Sequence, residues 1–390
     1  MSEAMPAQCP LPITTLAPNF QKHVDPAAPV SLRMMGAKAM VPMGPKDMVT
    51  ALYMLSFDPD GAIREAAEKS ATGLPDRILS VALRDETVDP PVLDYYATRA
   101  LTGKDVYLEM VVLNPATPDE TVRRVAATAD EKIVEIVSQN QLRLLRYPDI
   151  VRALCDNKAA RGSTIDSVCD FCVRSGLALD DLPQFKVAKK RILGVDDDAK
   201  ADAIAAQLRA EETKAESELV KIGAQAELPE GVAPPTSMEA AAAMEAEEEK
   251  KRTSITQQMM KLSVAKKIEW ANKKGNREVR NILLRDPNKL VQLAVIQSPR
   301  ITEPEIAKVA FSRTAPMEVL SFIYNNRMLL KNYAIKVSLV NNPKVPVAVS
   351  MRFLSTLRAT EVKALAKSKN VPAGLANAAK KMMEKKGDGH

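Results

Sequence analysis

The chain has 390 residues, 46% hydrophobic, 27% charged and only 4% aromatic, which is room for two domains at about 100–200 residues each. It holds no run of about 18 apolar residues that would span a membrane, and Cys9, Cys155, Cys169 and Cys172 are too few and too uneven for a disulfide scaffold. The net charge of +6 is unevenly spread: residues 250–390 hold 28 Lys+Arg and 9 Asp+Glu, residues 196–249 hold 4 and 15, and residues 1–195 are near neutral.

Residues 1–45 are rich in proline and methionine and lack any period, which predicts a flexible segment. The start, MSEAMPAQCPLPITTLAPNF, has neither the basic residues nor the apolar centre of a secretory signal. With cysteine usage that suits a reducing compartment, a cytoplasmic location is expected.

From residue 46 onward the apolar spacing is helical. A shift of 228 positions brings two segments into register. Phe57-Asp58-Pro59 meets Arg285-Asp286-Pro287, and Ile78, Val81 and Ala82 meet Ile306, Val309 and Ala310. NPATP at 114–118 meets NPKVP at 342–346, and SQN at 138–140 meets SKN at 368–370 after a short gap. Residues 57–143 and 285–373 therefore read as copies of one module. Inside the copies, Asn114 and Asn157, or Ser298 and Asn342, lie at the spacing of about 40–47 residues seen in HEAT and armadillo repeats.

Each Asn-Pro, Asp-Pro or Ser-Pro reads as a helix entrance, since proline suits the first turn and the preceding polar residue can cap it. Between these corners, Leu290, Val291, Ala294 and Val295 make one face at a period of 3.6 residues, as do Val319, Leu320, Phe322 and Ile323. Runs of about 10–14 residues are too short to stand alone. They must bury their stripes by stacking, which predicts an all-α fold: a HEAT-like α-solenoid of short helix pairs in two related arrays.

The expected division is a flexible segment over 1–45, a first helical-repeat array over 46–195 and an acidic Ala/Glu-rich linker over 196–253. A second, basic array covers 254–385, and a tail covers 386–390. Ser263 is expected to cap a helix that Gly275 ends.

The stretch KLSVAKKIEWANKKGNREVRNILLRDPNKLVQLAVIQSPRITEPEIAKVA resembles a largely uncharacterised bacterial family of HEAT-like helical-repeat proteins. VPMGPKDMVTALYMLSFDPD resembles the start of that family's first array, and NPATPDETV and NNPKVPVAVSMRFL resemble its repeat corners. The likeness covers most of 41–385 apart from the linker. It implies a HEAT-like fold and supplies no catalytic or binding residue to transfer. Characterised proteins of similar fold are scaffolds and, less closely, HEAT-like DNA glycosylases, and fold alone does not assign function.

Few motifs carry chemistry. Cys169 and Cys172 form a C-x-x-C fourteen residues after Cys155, but a zinc site needs a fourth ligand, and His23 and His390 fall in the expected tails. Buried small hydrophobes account for these cysteines; metal ligation and redox chemistry are the alternatives. No phosphate loop occurs, and no Ser-His-Asp or Cys-His arrangement is expected. Asp196-Asp197-Asp198 lacks the glycine and glutamate of a calcium loop. Neither cofactor nor metal nor catalytic residue is assigned.

The basic second array is the most informative feature. Lys266, Lys267, Lys273, Lys274, Arg277 and Arg280 crowd its start, and Lys363, Lys367, Lys369, Lys380 and Lys381 its end. They are the candidate polyanion-binding residues, against the bland reading of a solvated face. Base stacking would need exposed aromatics, and this array offers only Trp270, Phe311, Phe322, Tyr324, Tyr333 and Phe353, several of them on apolar stripes. The acidic linker, tethered beside this array, is expected to fold back and mask it. The favoured reading is a non-enzymatic scaffold for an unidentified protein partner. A nucleic-acid-binding protein is the first alternative, and a HEAT-like DNA glycosylase the second.

Overall fold

A computed structural model describes residues 8–100, 104–224, 238–368 and 370–387. Among the described residues every regular element is a helix and no strand forms. None of these helices is long and apolar enough to cross a membrane. The chain divides into two compact units, Met1–Val173 with Ala178–Lys189, and Arg174–Leu177 with Lys190–His390.

The first unit begins earlier than the sequence suggests. Residues 18–37, expected to be flexible, form helices Pro18–Gln21 and Val30–Ala37. Leu16 and Ala37 are buried. Arg33 forms a buried ion pair with Asp58, and its Nε donates to Ala28 O at 3.0 Å. His23, expected in a loose tail, is buried with Nδ1 3.0 Å from Leu32 O. Gly36 shows how close the fit is, because a Cβ there would lie 2.7 Å from His23 O. Proline and methionine content hid this packing, since methionine fills irregular apolar gaps without periodic spacing.

The corners depart from the expected capping. Asn114 does not cap a helix; its Oδ1 accepts from Ala116 N at 2.9 Å and its carbonyl from Thr117 N at 3.1 Å, closing a turn. The helix then starts at Asp119 behind Pro118. The spare Asn114 amide reaches back and donates to Leu83 O at 2.8 Å and Asp85 O at 3.2 Å. Asn157 repeats this, donating to Ala126 O at 2.8 Å and Ala129 O at 2.9 Å. Asn342 does so again, to Ala310 O at 2.8 Å and Ser312 O at 2.9 Å. Each amide satisfies carbonyls left open at the end of an earlier helix, groups that would otherwise be buried unpaired.

Where Asp replaces Asn at the corner, a cation takes the amide's place. Asp286 accepts from Asn288 N at 2.8 Å and from Lys267 Nζ at 2.8 Å. Asp58 likewise accepts from Asp60 N at 2.9 Å and from Arg33. Proline before these helices marks the corner, and the cap lies a residue or more beyond it: Asp60 for helix Gly61–Thr72 and Asn288 for helix Lys289–Ile296.

Residues 198–221, expected in a linker, form one helix that belongs to the second unit. Asp197 caps it, accepting from Ala199 N at 2.8 Å, and Asp198 pairs with Lys190 at 3.0 Å. The acidic triplet thus starts a helix. Ala215 and Leu219 on this helix are buried, as are Ile255 and Met259 on helix Met238–Met260. A stripe this sparse, set among Glu and Lys, reads as solvated in sequence but is enough to seat a helix.

Candidate functional site

The start of the second array is built around one carboxylate. Ser263 caps helix Val264–Glu269, as its position before an apolar run predicts. The chain continues into a wider π-turn, Trp270–Lys274, closed by Gly275 N donating to Trp270 O at 2.7 Å. Gly275 ends the element with an ordinary negative φ of −69°. Glycine is required there for space, because a Cβ would meet Val279 Cγ1 at 2.7 Å.

The wider turn stacks Trp270 and Lys274 on one side, so both reach Glu216 Oε1, at 3.1 and 2.8 Å. Lys266 Nζ lies 3.4 Å from Glu216 Oε2 and 3.2 Å from Glu269 Oε2, and Lys274 Nζ is 2.9 Å from Glu269 Oε1. One turn earlier on the acidic helix, Glu212 accepts from Ser263 N at 2.6 Å. Burial alone would raise the Glu216 carboxyl, but the Lys274 hydrogen bond, the charges of Lys266 and Lys274 and the Trp270 N–H outweigh it and hold it low. Glu269 is lowered against the same burial by hydrogen bonds from both lysines.

The candidate polyanion-binding residues therefore separate into two classes. Lys266 and Lys274 are neutralised at Glu216 and Glu269. Lys267 turns to Asp286, and Arg280 is buried against Glu305, with Nε–Oε1 at 3.2 Å. Glu305 also completes a capping box with Thr302. Its carboxyl is lowered despite burial, by hydrogen bonds from the Thr302 side chain and backbone and from Arg280. Lys273, Arg277, Lys363, Lys367, Lys380 and Lys381 are exposed and form no ion pair among the described residues. Lys369 lies outside the described residues.

The four unpaired lysines at the C-terminal end sit on helices Ala359–Lys367 and Ala373–Gly387, which pack on one another. Lys363 and Lys367 are one turn apart on the same face. Trp270 and Phe353 are buried, whereas Phe311 is 61% exposed.

Comparison with known proteins returns no matching family model, curated protein or solved structure.

In the first unit, helix Gly162–Arg174 buries Cys169 and Cys172 completely. Burial and the neighbouring Cys169 push the Cys172 thiol up to about 12. A hydrogen bond with Cys169, then burial, raises Cys155 further. These are thiols, not thiolates, which disfavours nucleophilic attack. A cleft of about 320 Å³ between helices Glu131–Gln139 and Gly162–Arg174 is lined largely by Ser, Gln and Glu135. Glu135 already accepts from Thr164 Oγ1 at 2.9 Å.

Sequence reasoning passed over Glu216, Glu212 and Glu305. Glu305 carries a local signal in its place three residues after Thr302, as in a capping box; Glu212 and Glu216 show only helical spacing, and their partners lie 51 and 54 positions away.

Proposed function

We propose that the chain is a non-enzymatic interaction scaffold of the cytoplasm, a HEAT-like α-solenoid in two related arrays that binds a protein partner on its helical-repeat surface. The observation that carries this reading is the repeated back-bond of Asn114, Asn157 and Asn342 onto the preceding corner. A bond reaching back about 31 positions, made at three corners, suits stacked pairs, and stacking leaves an extended face for a partner. The registers agree: helices starting at Asp105, Asp119 and Glu131 recur at Tyr333, Val347 and Ala359, each 228 positions on. Ionised groups and thiols inside the fold are occupied in holding it together.

A second reading is favoured by the unpaired Lys363, Lys367, Lys380 and Lys381: a nucleic acid or another polyanion held by the C-terminal helix pair. Masking of the array's start by the acidic helix fits the Glu216 contacts with Lys266 and Lys274. With Trp270 and Phe353 buried, the glycosylase alternative gains no support from an aromatic platform for a flipped base.

Affinity capture of the full chain from native cells, with and without nuclease and across a salt series, tests the scaffold. A protein partner that survives nuclease at about 0.15 M salt supports it. Recovery of nucleic acid alone, falling steeply with salt, replaces it with the second reading.

A further inference from the structure

Two corners of the C-terminal basic segment launch helices whose first residues are exposed and apolar. Met317 opens helix Met317–Asn325 and is 44% exposed; Val347 and Met351, one turn apart on helix Val347–Leu354, are 38% and 43% exposed. The two launching corners are tied together. Asn342 bonds Ser312 O at 2.9 Å and Lys344 Nζ donates to Ala315 O at 3.0 Å. Helix Met317–Asn325 is held in turn to helix Lys289–Ile296 by the Lys289–Glu318 pair at 2.8 Å.

The rim of this apolar face is positive. Glu318, its acid, is already taken by Lys289. Arg313, Lys344 and Arg352 are exposed and have no acidic partner among the described residues. Two methionines beside a valine make a soft surface that adapts to apolar side chains. A phosphate backbone would leave that surface uncovered, whereas a helix with an apolar stripe and acidic flanks would satisfy both stripe and rim.

The same array already accepts such a helix at its other end. Helix Asp198–Lys221, on which Ala215 and Leu219 are buried, sets Glu212 and Glu216 on the array's backbone and lysines. We propose that the face formed by Met317, Val347 and Met351 docks an acidic amphipathic helix of a partner protein. The proposal rests on the scaffold reading and names where and what it binds. The apolar residues anchor one stripe of the incoming helix, and Arg313, Lys344 and Arg352 meet its carboxylates.

The test uses the full chain and a stapled, fluorescently labelled peptide of about five helical turns, leucine along one stripe and glutamate elsewhere. Controls are the same peptide with lysine for glutamate and an oligo-dT of comparable length. The expected result is salt-sensitive binding of the glutamate peptide only. Met317→Glu with Met351→Glu, and separately Arg352→Glu, should each weaken it at least about tenfold with an unchanged far-ultraviolet spectrum and melting temperature. These side chains are exposed, so the substitutions leave the core intact. No binding of the glutamate peptide, equal binding to both variants, or displacement of the peptide by oligo-dT overturns the proposal. A native protein partner captured equally by wild type and the Met317/Met351 variant also removes this site, yet leaves the scaffold reading standing.

Discussion

Trp270 donates its indole N–H to Glu216 Oε1 at 3.1 Å, so the chain's single tryptophan sits on the carboxylate that gathers Lys266 and Lys274. Tryptophan emission is therefore a direct readout of the acidic helix on the second array. Glu216→Ala takes the acceptor from the buried indole N–H and leaves Lys266 and Lys274 with Glu269 alone. We expect a red-shifted emission and a loss of about 1–3 kcal/mol in urea unfolding. Emission identical to wild type would mean the helix does not sit there.

The same junction predicts an acid transition. Glu216 and Glu269 are held below the ordinary carboxylate range in the folded chain. Their contribution is present above the unfolded value of about 4.3 and is lost as pH falls through the lowered folded values. Lys274 is raised, by its bonds to Glu216 and Glu269 against the opposing effect of burial. Its contribution is present below about 10.4 and lost as pH rises through the raised value. Tryptophan emission should be flat across neutral pH and shift at the acid end, and Glu216→Gln should reduce that shift. A wild-type emission flat down to about pH 2 contradicts the assignment.

Asn342 is buried and donates to two carbonyls. Asn342→Ala strands both, with an expected cost of about 1–3 kcal/mol. Asn342→Asp turns a carboxylate toward the same two oxygens and should cost more. Asn114 and Asn157 variants should behave alike. Thermal melts showing the aspartate variant as stable as wild type would refute the back-bond.

Arg280 and Glu305 are both buried. Glu305→Gln alone should cost about 3–5 kcal/mol, because it removes a buried carboxylate that faces a buried guanidinium. The pair Arg280→Met with Glu305→Leu should recover all but about 1 kcal/mol, the value of the Thr302 capping box. Chemical denaturation of the singles and the double decides it; additive losses would deny the pairing.

Gly36→Ala tests the N-terminal segment. In a solvated helix this change gains about 1 kcal/mol of propensity. Against His23 O, where a Cβ would stand at 2.7 Å, it should instead cost about 1–3 kcal/mol. A stabilised variant would show that Val30–Ala37 is not packed.

The helical character of the chain and the position of its corners were legible in the sequence, because period and proline are local signals. What each corner residue does was not. Asn before Pro looks like a cap, and only the fold brings Ala310 O and Ser312 O within reach of Asn342. The basic array misled for the same reason. A count of lysines cannot register that Lys267 meets Asp286 across 19 positions, or Arg280 meets Glu305 across 25. The Ala/Glu/Lys stretch hid its packing because Ala215 and Leu219 form too thin a stripe to stand out.

The corner asparagines act as a ruler. Asn114, Asn157 and Asn342 reach back 31, 31 and 32 positions to their first carbonyl, a length of chain that runs out and back through two or three short helices. Several residues added to one arm of that loop would pull the amide off its acceptors, while a complete extra pair would leave each gauge length intact. On the proposed solenoid reading, such a chain would lengthen or shorten by whole hairpins, not by residues.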